Sequence, residues 1–308
     1  MSIIASDRRL AGPEPSDEFA DVASRTSSSS RKAARWLGSH SVLVVSVAVF
    51  TLALLWASVP SAFTHYDPIA IDNAVKLRPP SAEHWFGTDL LGRDLYARIV
   101  YGARASLLGA SIAVGVAVVI GSVLGAVAGW FGGLGDTVLM RLIDVLLSIP
   151  RIPPGDCDRG ALHGEDGHAG LVPAAVAVGL TTSATFARLI RSEVLRVRAS
   201  NYVEAAITSG ATTSAILRRH VIPNSVATTV SLIAVQLGIA IIWIASLSFL
   251  GLGAQPPEPE WGGLLVSDGR KYIATRGGWL TMFPALAIIA VVLATNNISR
   301  HLSKRSAR

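Results

Sequence analysis

Four blocks of the sequence contain no charged residue and are long enough to cross a lipid bilayer. They are residues 42–59, 107–130, 171–187 and 226–250, and a fifth, shorter block covers residues 280–294. A helix needs about 20 apolar residues to cross the hydrocarbon core, because that core has no water to satisfy exposed backbone groups. We therefore predict that each block forms a membrane-spanning helix.

The composition supports this prediction. Hydrophobic residues make up 51% of the chain, the mean hydropathy is +0.48, and only 16% of residues are charged, whereas about a quarter are charged in soluble domains. A further candidate helix begins near Thr137 and is interrupted at Pro150. The predicted fold class is an all-α polytopic membrane protein with about six transmembrane helices.

The distribution of basic residues predicts the orientation. Arginines and lysines cluster before the first span, between the fourth and fifth, and after the last, whereas segments 60–104 and 251–279 mix acids and bases. Basic loops remain in the cytoplasm, so both termini are predicted to be cytoplasmic. The same bias explains the net charge of +6, and we expect no binding to nucleic acid.

A short helix is predicted within the basic loop 188–224. Asn201 and Glu204 have the spacing of a capping box, in which Asn201 accepts from the amide at Glu204 and the Glu204 carboxylate returns to the cap. Gly210 lies where a left-handed residue ends a helix. Such a short helix is not stable alone in water. Three of its apolar residues therefore need a partner surface, on this chain or on another protein: Tyr202, Val203 and Ile207.

This loop resembles the "EAA" loop of binding-protein-dependent ABC importer permeases. Glu204-Ala205-Ala206 is followed after three residues by Gly210, and after eleven more by Ile222-Pro223. Other segments resemble the dipeptide/oligopeptide/nickel subfamily, in particular its C-type subunit. They are the two outer triplets Gly87-Thr88-Asp89 and Gly92-Arg93-Asp94, and residues 247–251 with the Gln-Pro-Pro sequence after them.

The resemblance implies the type I ABC importer permease fold and a complex of several proteins. The implied partners are a homologous permease subunit in a heterodimer, one or two ATP-binding subunits, an extracytoplasmic substrate-binding protein and membrane lipid. The chain has no P-loop, so it is expected to be a non-catalytic subunit that binds no metal or cofactor. ATP and Mg²⁺ would be bound by the partner ATPases. The implied location is the plasma membrane of a prokaryote, with several membrane passes.

The implied function is that of a permease subunit in an ATP-driven importer of peptides, dipeptides or oligopeptides, which forms half of the translocation pathway. A nickel or glutathione importer permease of the same family is an alternative. A membrane scaffold that recruits a cytoplasmic partner is an alternative of another class. An ion-driven transporter would place acids at mid-membrane, and the apolar blocks contain none.

The resemblance also implies roles for individual residues. The ATPase-coupling residues would be Asn201, Tyr202, Val203, Glu204, Ala205, Ala206, Ile207 and Gly210. The residues expected to support this loop are Arg188, Arg191, Arg219, His220 and Pro223. The outer-face motif comprises Gly87, Thr88, Asp89, Gly92, Arg93 and Asp94.

Each of these roles has a simpler alternative. Glu204 could act only as a capping residue. Arg188 and Arg191 could be positive-inside anchors without a partner contact. Asp89 and Asp94 could be solvated loop acids or could meet the binding protein.

Five divisions of the chain follow from this interpretation. Residues 1–36 would be a disordered cytoplasmic tail, 37–62 the first transmembrane helix and 63–103 an outer segment. Residues 104–300 would form the core permease domain with the coupling loop 188–224, and residues 301–308 a cytoplasmic tail.

Residues 151–169 do not suit the remainder of a third transmembrane helix. Within the segment, Asp156, Asp158, Arg159, Glu165 and Asp166 are costly at mid-bilayer, and two prolines oppose a helix. A metal site built from Cys157, His163, Glu165 and His168 has plausible ligand types, but its spacing matches no familiar zinc pattern. A natural outer loop is a second interpretation. We favour a local shift of the reading frame, since shifted codons can encode an apolar helix here.

Overall fold

The computed structural model describes residues 41–148, 170–267 and 277–306. The chain divides into two units, Met1–Val45 and Ser46–Arg308, and the described part of the first is the start of a helix. The helices, in chain order, are α1 (Ser41–Ser58), α2 (Leu95–Phe131), α3 (Gly133–Ser148), α4 (Leu171–Arg198), α5 (Asn201–Thr208), α6 (Thr213–Ile216), α7 (Ile222–Phe249), α8 (Trp261–Ser267) and α9 (Gly278–Ser306).

Five of these helices, α1, α2, α4, α7 and α9, are long and apolar enough to cross a membrane. The described residues otherwise form short 3₁₀ turns, a π-helical turn at Leu217–Val221 and loops, so the all-α prediction is confirmed. Helix α9 continues to Ser306, into the segment predicted to be a tail. The predicted tail 1–36 lies outside the described residues.

Helix α2 begins at Leu95, within the segment 63–103 that was predicted to be outer, and continues through the apolar block 107–130. The structure has one continuous helix of 37 residues, capped at its start by Asp94. At 1.5 Å per residue this helix is about 55 Å long. We call the end of the molecule near Asp94 the motif end, and the end near Phe131 the α5 end.

Helices α2 and α4 pack closely because glycines face the contact. Gly121, Gly125 and Gly129 recur every fourth residue along α2. A methyl group on Gly125 would lie 2.3 Å from the carbonyl oxygen of Ala187, and one on Gly121 would lie 2.4 Å from a carbonyl oxygen of α4. Small residues at this spacing let transmembrane helices approach through their backbones.

The short helix α8 inserts into the core at the motif end. Trp261 is fully buried, and its indole Nε1 donates to the carbonyl oxygen of Ile99 at 2.9 Å. The buried Glu260 carboxylate accepts from the Ser106 hydroxyl at 2.9 Å and from the Gly263 amide at 2.8 Å. Trp261 is therefore a core residue that joins α8 to α2.

The sixth predicted span corresponds to α3, which has 16 residues and ends at Ser148. It is shorter than the five helices that are long and apolar enough to cross a membrane. The segment 151–169, for which we weighed a metal site, a loop and a frame shift, lies outside the described residues. All three interpretations therefore stay untested.

Candidate functional site

Helix α5 packs on other helices of this chain mainly through the apolar side chain of Val203. Val203 is fully buried and belongs to a cluster with residues of α4 and of the turn that precedes α7. The other members of that cluster are Ile190, Val194, Val197, Ile216 and Val221, with Ala126, Trp130 and Ala206 partly buried against it. Of the apolar residues that needed a partner surface, Val203 therefore finds one within this chain.

The opposite face of α5 is exposed. Tyr202 has 47% of its surface accessible, and the side chain of Ile207 is outside the description. The other exposed residues of this face, which with Tyr202 we call the α5 surface, are Asn201, Glu204, Ala205 and Thr208. An exposed tyrosine beside a carboxylate offers both apolar contact and hydrogen bonding to a partner.

The two ends of α5 only partly match the prediction. The amide of Glu204 donates to the carbonyl oxygen of Ser200 at 3.2 Å, so Asn201 occupies the first helical position instead of capping that amide. At the other end Gly210 has φ +81°, as predicted for a left-handed helix stop. The amide of Ala211 donates to the carbonyl oxygen of Ala206 at 3.0 Å, which closes the Schellman arrangement.

Two arginines of α4 pair with acids of α3 at the α5 end. Arg191 donates to both carboxylate oxygens of Asp136, each at 2.6 Å. This bidentate contact holds the pKa of Asp136 below its ordinary value. Arg188 pairs with Asp144 at 2.7 Å in an exposed position. Both arginines therefore join α4 to α3 through ion pairs.

A third arginine, which the sequence analysis did not select, links α4 to α2. The Nη1 of Arg198 donates to the carbonyl oxygen of Trp130 at 2.7 Å, and its guanidinium lies 5.9 Å from the centre of that indole. Of the remaining predicted support residues, Arg219 and Pro223 are exposed, and the side chain of His220 is not described.

The outer-face motif forms a buried polar turn at the motif end. Asp89 is fully buried, and its Oδ1 accepts from the amides of Leu91 at 2.8 Å and Arg93 at 2.9 Å. Its Oδ2 accepts from Nε of Arg93 at 2.5 Å and lies 3.6 Å from Nη1 of Arg98. Asp89 therefore holds the turn together and neutralises two buried guanidinium groups.

Asp94 is also buried, and it begins α2. Its Oδ1 accepts from the amide of Ala97 at 2.7 Å as the helix cap, and its Oδ2 lies 2.9 Å from Nδ1 of the buried His84. The interpretation of Asp89 and Asp94 as solvated loop acids is wrong, because both carboxylates are enclosed by this chain. Their enclosure also leaves neither carboxylate accessible to a binding protein.

The other motif residues close the same turn. The Thr88 hydroxyl donates to the carbonyl oxygen of Val75 and accepts from the amide of Arg78 at 2.9 Å. Gly92 has φ +77°, and a Cβ there would lie 1.7 Å from the carbonyl oxygen of Asp72. Gly87 similarly leaves no room for a Cβ, which would meet the carbonyl oxygen of Arg78 at 2.6 Å. These residues thus fix segment 72–94 against the start of α2.

Several participants could not be selected from sequence. His84, Arg98, Asp136 and Asp144 are ordinary polar residues in the linear pattern, and only their long-range partners distinguish them. In the ranges that the structure describes, no group of three or more His, Cys, Asp or Glu side chains is arranged to hold a metal ion.

Comparison with known proteins identifies the family. Residues 121–308 match the family described as "Binding-protein-dependent transport system inner membrane component". The chain is also 36% identical to the dipeptide transport system permease protein DppC of Alkalihalophilus pseudofirmus. The aligned region of 286 residues covers 93% of this chain and 90% of that protein. The chain belongs to this family. It is therefore a multi-pass membrane protein, and the permeases of the family are generally non-catalytic membrane subunits.

Two further permeases of the family are similar over most of their length. The probable D,D-dipeptide transport system permease protein DdpC of Escherichia coli is 37% identical over 263 residues, with 85% of this chain and 86% of that protein covered. The glutathione transport system permease protein GsiD of Pectobacterium atrosepticum is 41% identical over 217 residues, which is 70% of each chain.

Proposed function

We propose that this permease is the C-type subunit of an ATP-driven importer of peptides, with dipeptides as the leading substrate class. The observation that supports this most directly is α5: a short helix, buried on one side by Val203 and exposed on the other, in a chain that belongs to the permease family. Membership of the family disfavours a scaffold. Relatives named for dipeptide and D,D-dipeptide transport support the substrate class.

The proposed orientation places the α5 end in the cytoplasm. Arg188, Arg191, Arg198 and Arg219 all lie at this end, and basic residues favour the cytoplasmic side of a membrane. The motif end would then face outward, toward a substrate-binding protein. Both termini would then be cytoplasmic, as the distribution of basic residues predicts.

We further propose that the α5 surface docks on an ATP-binding subunit. Motion of that subunit would reach the membrane helices through the apolar contacts of Val203 with α4. The contact of Arg198 with Trp130 would pass the displacement to α2, and the pair of Arg191 with Asp136 would pass it to α3. Coupling of this kind requires two conformations to which the nucleotide-bound ATPase binds with different affinity.

The remaining parts of the complex follow from the family. A homologous permease would form the second half of the pathway, and an extracytoplasmic binding protein would deliver the substrate. ATP and Mg²⁺ would bind to one or two partner ATPases, and this chain would hydrolyse nothing itself.

A glutathione importer is the second candidate, because the GsiD permease is 41% identical over the region that it shares with this chain. Glutathione is itself a short peptide with free carboxylates. The two substrates are separated by competition: unlabelled glutathione abolishes uptake of labelled dipeptide only if both use this complex.

The test is uptake of a labelled dipeptide into right-side-out vesicles that contain the complete complex, with ATP enclosed and the binding protein added outside. We expect uptake to require ATP, the binding protein and this chain, and to stop when the chain is omitted. Dipeptide uptake that is unchanged without the chain would contradict the proposal.

The docking surface has a separate test. Tyr202→Ala removes an exposed aromatic side chain from the α5 surface, and such residues often dominate binding energy. We expect about tenfold weaker co-purification of the ATPases. Trp85→Ala, at the exposed aromatic Trp85 of the motif end, is the control and should retain them. Equal association in both variants would exclude docking through Tyr202.

A further inference from the structure

A cavity of about 670 Å³ opens at the motif end, beside the first turns of α2. One face of α2 lines it from Tyr101 to Ile112, a length of about 16 Å. The polar part of this face, with Arg104, lies nearer the motif end. Further along α2, Leu108 and Ile112 line the cavity, as does Leu171 at the start of α4. The cavity thus has a charged region followed by an apolar one.

The charged region contains groups of both signs. Arg104 is exposed on α2, and in the ranges that the structure describes no hydrogen bond or ion pair engages its guanidinium. Asp67 and Glu258 line the same cavity. An ionisable side chain within a membrane-spanning helix is costly unless it faces water or a partner, and such residues frequently mark a substrate pathway.

The motif turn holds the rim of this cavity in place. Arg98, which lies 3.6 Å from the buried Asp89, also donates from Nη1 to the carbonyl oxygen of Pro68 at 3.3 Å. The Oδ1 of Asp67 accepts from the amide of Ile69 at 2.9 Å. Segment 65–69 is therefore fixed by the same network that begins α2, so the rim acid is positioned before any ligand arrives.

We propose that this cavity receives the zwitterionic peptide as it enters the permease. Arg104 binds the terminal carboxylate, Asp67 and Glu258 attract the terminal ammonium, and the apolar part of the cavity accommodates the side chains. A carboxylate gains strong charge-assisted bonds from a guanidinium. This inference rests on the proposed function, and it adds a site in this chain that selects for free peptide termini.

Thiol protection in the assembled complex tests the proposal. Leu108→Cys is introduced into a Cys157→Ser background, and its rate of labelling by a water-soluble thiol reagent is measured. Dialanine should slow the labelling, and dialanine amide, which lacks the terminal carboxylate, should need about tenfold higher concentration for the same effect. An Ala82→Cys variant, at the exposed Ala82 of the outer segment and away from the cavity, should be labelled at a rate that neither compound changes.

The role of Arg104 is tested in the same assay. Arg104→Gln should remove the preference for the free acid over the amide, whereas Arg104→Lys should retain part of it because the charge remains. Lys76→Gln, which removes an exposed cation of the outer segment away from the cavity, should keep the full preference. Equal protection by acid and amide in the unmodified background would overturn the proposal.

Two further outcomes separate this inference from the proposed function. Complete protection of the Leu108→Cys thiol without any peptide would show that the second permease covers the cavity, and would overturn the inference. ATP-dependent dialanine uptake with labelling unaffected by peptide would overturn the inference alone. Absence of dialanine uptake by the complete complex would overturn the proposed function and the inference together.

Discussion

Substitution of Gly210 by valine tests whether the end of α5 matters for ATPase association. Gly210 has φ +81°, and a Cβ built there has no atom within 4 Å. The penalty is therefore entirely conformational, about 1–2 kcal/mol for an L-residue held in the left-handed region. The chain must either bear this strain or rearrange the turn.

The size of this penalty matters because α5 has only eight residues. A helix of that length depends on tertiary contacts for its stability, and the described contacts come mainly from Val203. A loss of 1–2 kcal/mol lowers the ratio of formed to unformed α5 by a factor of about 5–30. We expect the Gly210→Val variant to insert normally into the membrane but to lose most co-purifying ATPase and most uptake.

Gly251 offers a matched control at the other end of the molecule. It has φ +83°, and a Cβ there also has no atom within 4 Å. Gly251→Val therefore imposes a similar local strain after α7, and it should leave ATPase association intact. Gly210→Asn should restore part of the association, since asparagine tolerates the left-handed region. Equal ATPase recovery in the two valine variants would refute the reasoning.

Three other predictions concern packing, the motif turn and the coding sequence. Gly125→Ala should lower the yield and the Tm of the purified permease, because the new methyl group would lie 2.3 Å from the backbone of α4. The control is Gly115→Ala on the same helix, where a methyl group meets nothing within 4 Å, and it should leave both quantities unchanged. Asp89→Asn should lower the free energy of unfolding by about 3 kcal/mol, because it leaves buried guanidinium groups uncompensated. Thermal unfolding in detergent measures this loss, with the exposed Asp72→Asn variant as control. Equal Tm values for the two variants would contradict the prediction. Sequencing of the gene should show an apolar alternative frame across residues 151–169, and a polar alternative frame there would exclude the frame shift.

The position of the apolar blocks along the chain determined much of the fold. Hydrophobicity over about 20 residues is a local property, so the spans at α1, α4, α7 and α9 could be predicted from the sequence. The left-handed stop at Gly210 is local as well, because it depends on one residue type after a short helical run. The outer triplets and the EAA loop indicated the family in the same way, from the order of a few residues.

The functions of individual polar residues were decided only by the tertiary structure. Asp89 has the sequence context of a solvated loop acid, yet the folded turn buries it and places Arg93 and Arg98 beside its carboxylate. Arg191 could not be assigned to Asp136, 55 residues earlier in the chain, without the packing of α3 on α4. A side chain's desolvation and its partner are set by groups far away in sequence, whereas a helix is set largely by its own residues and its neighbours along the chain.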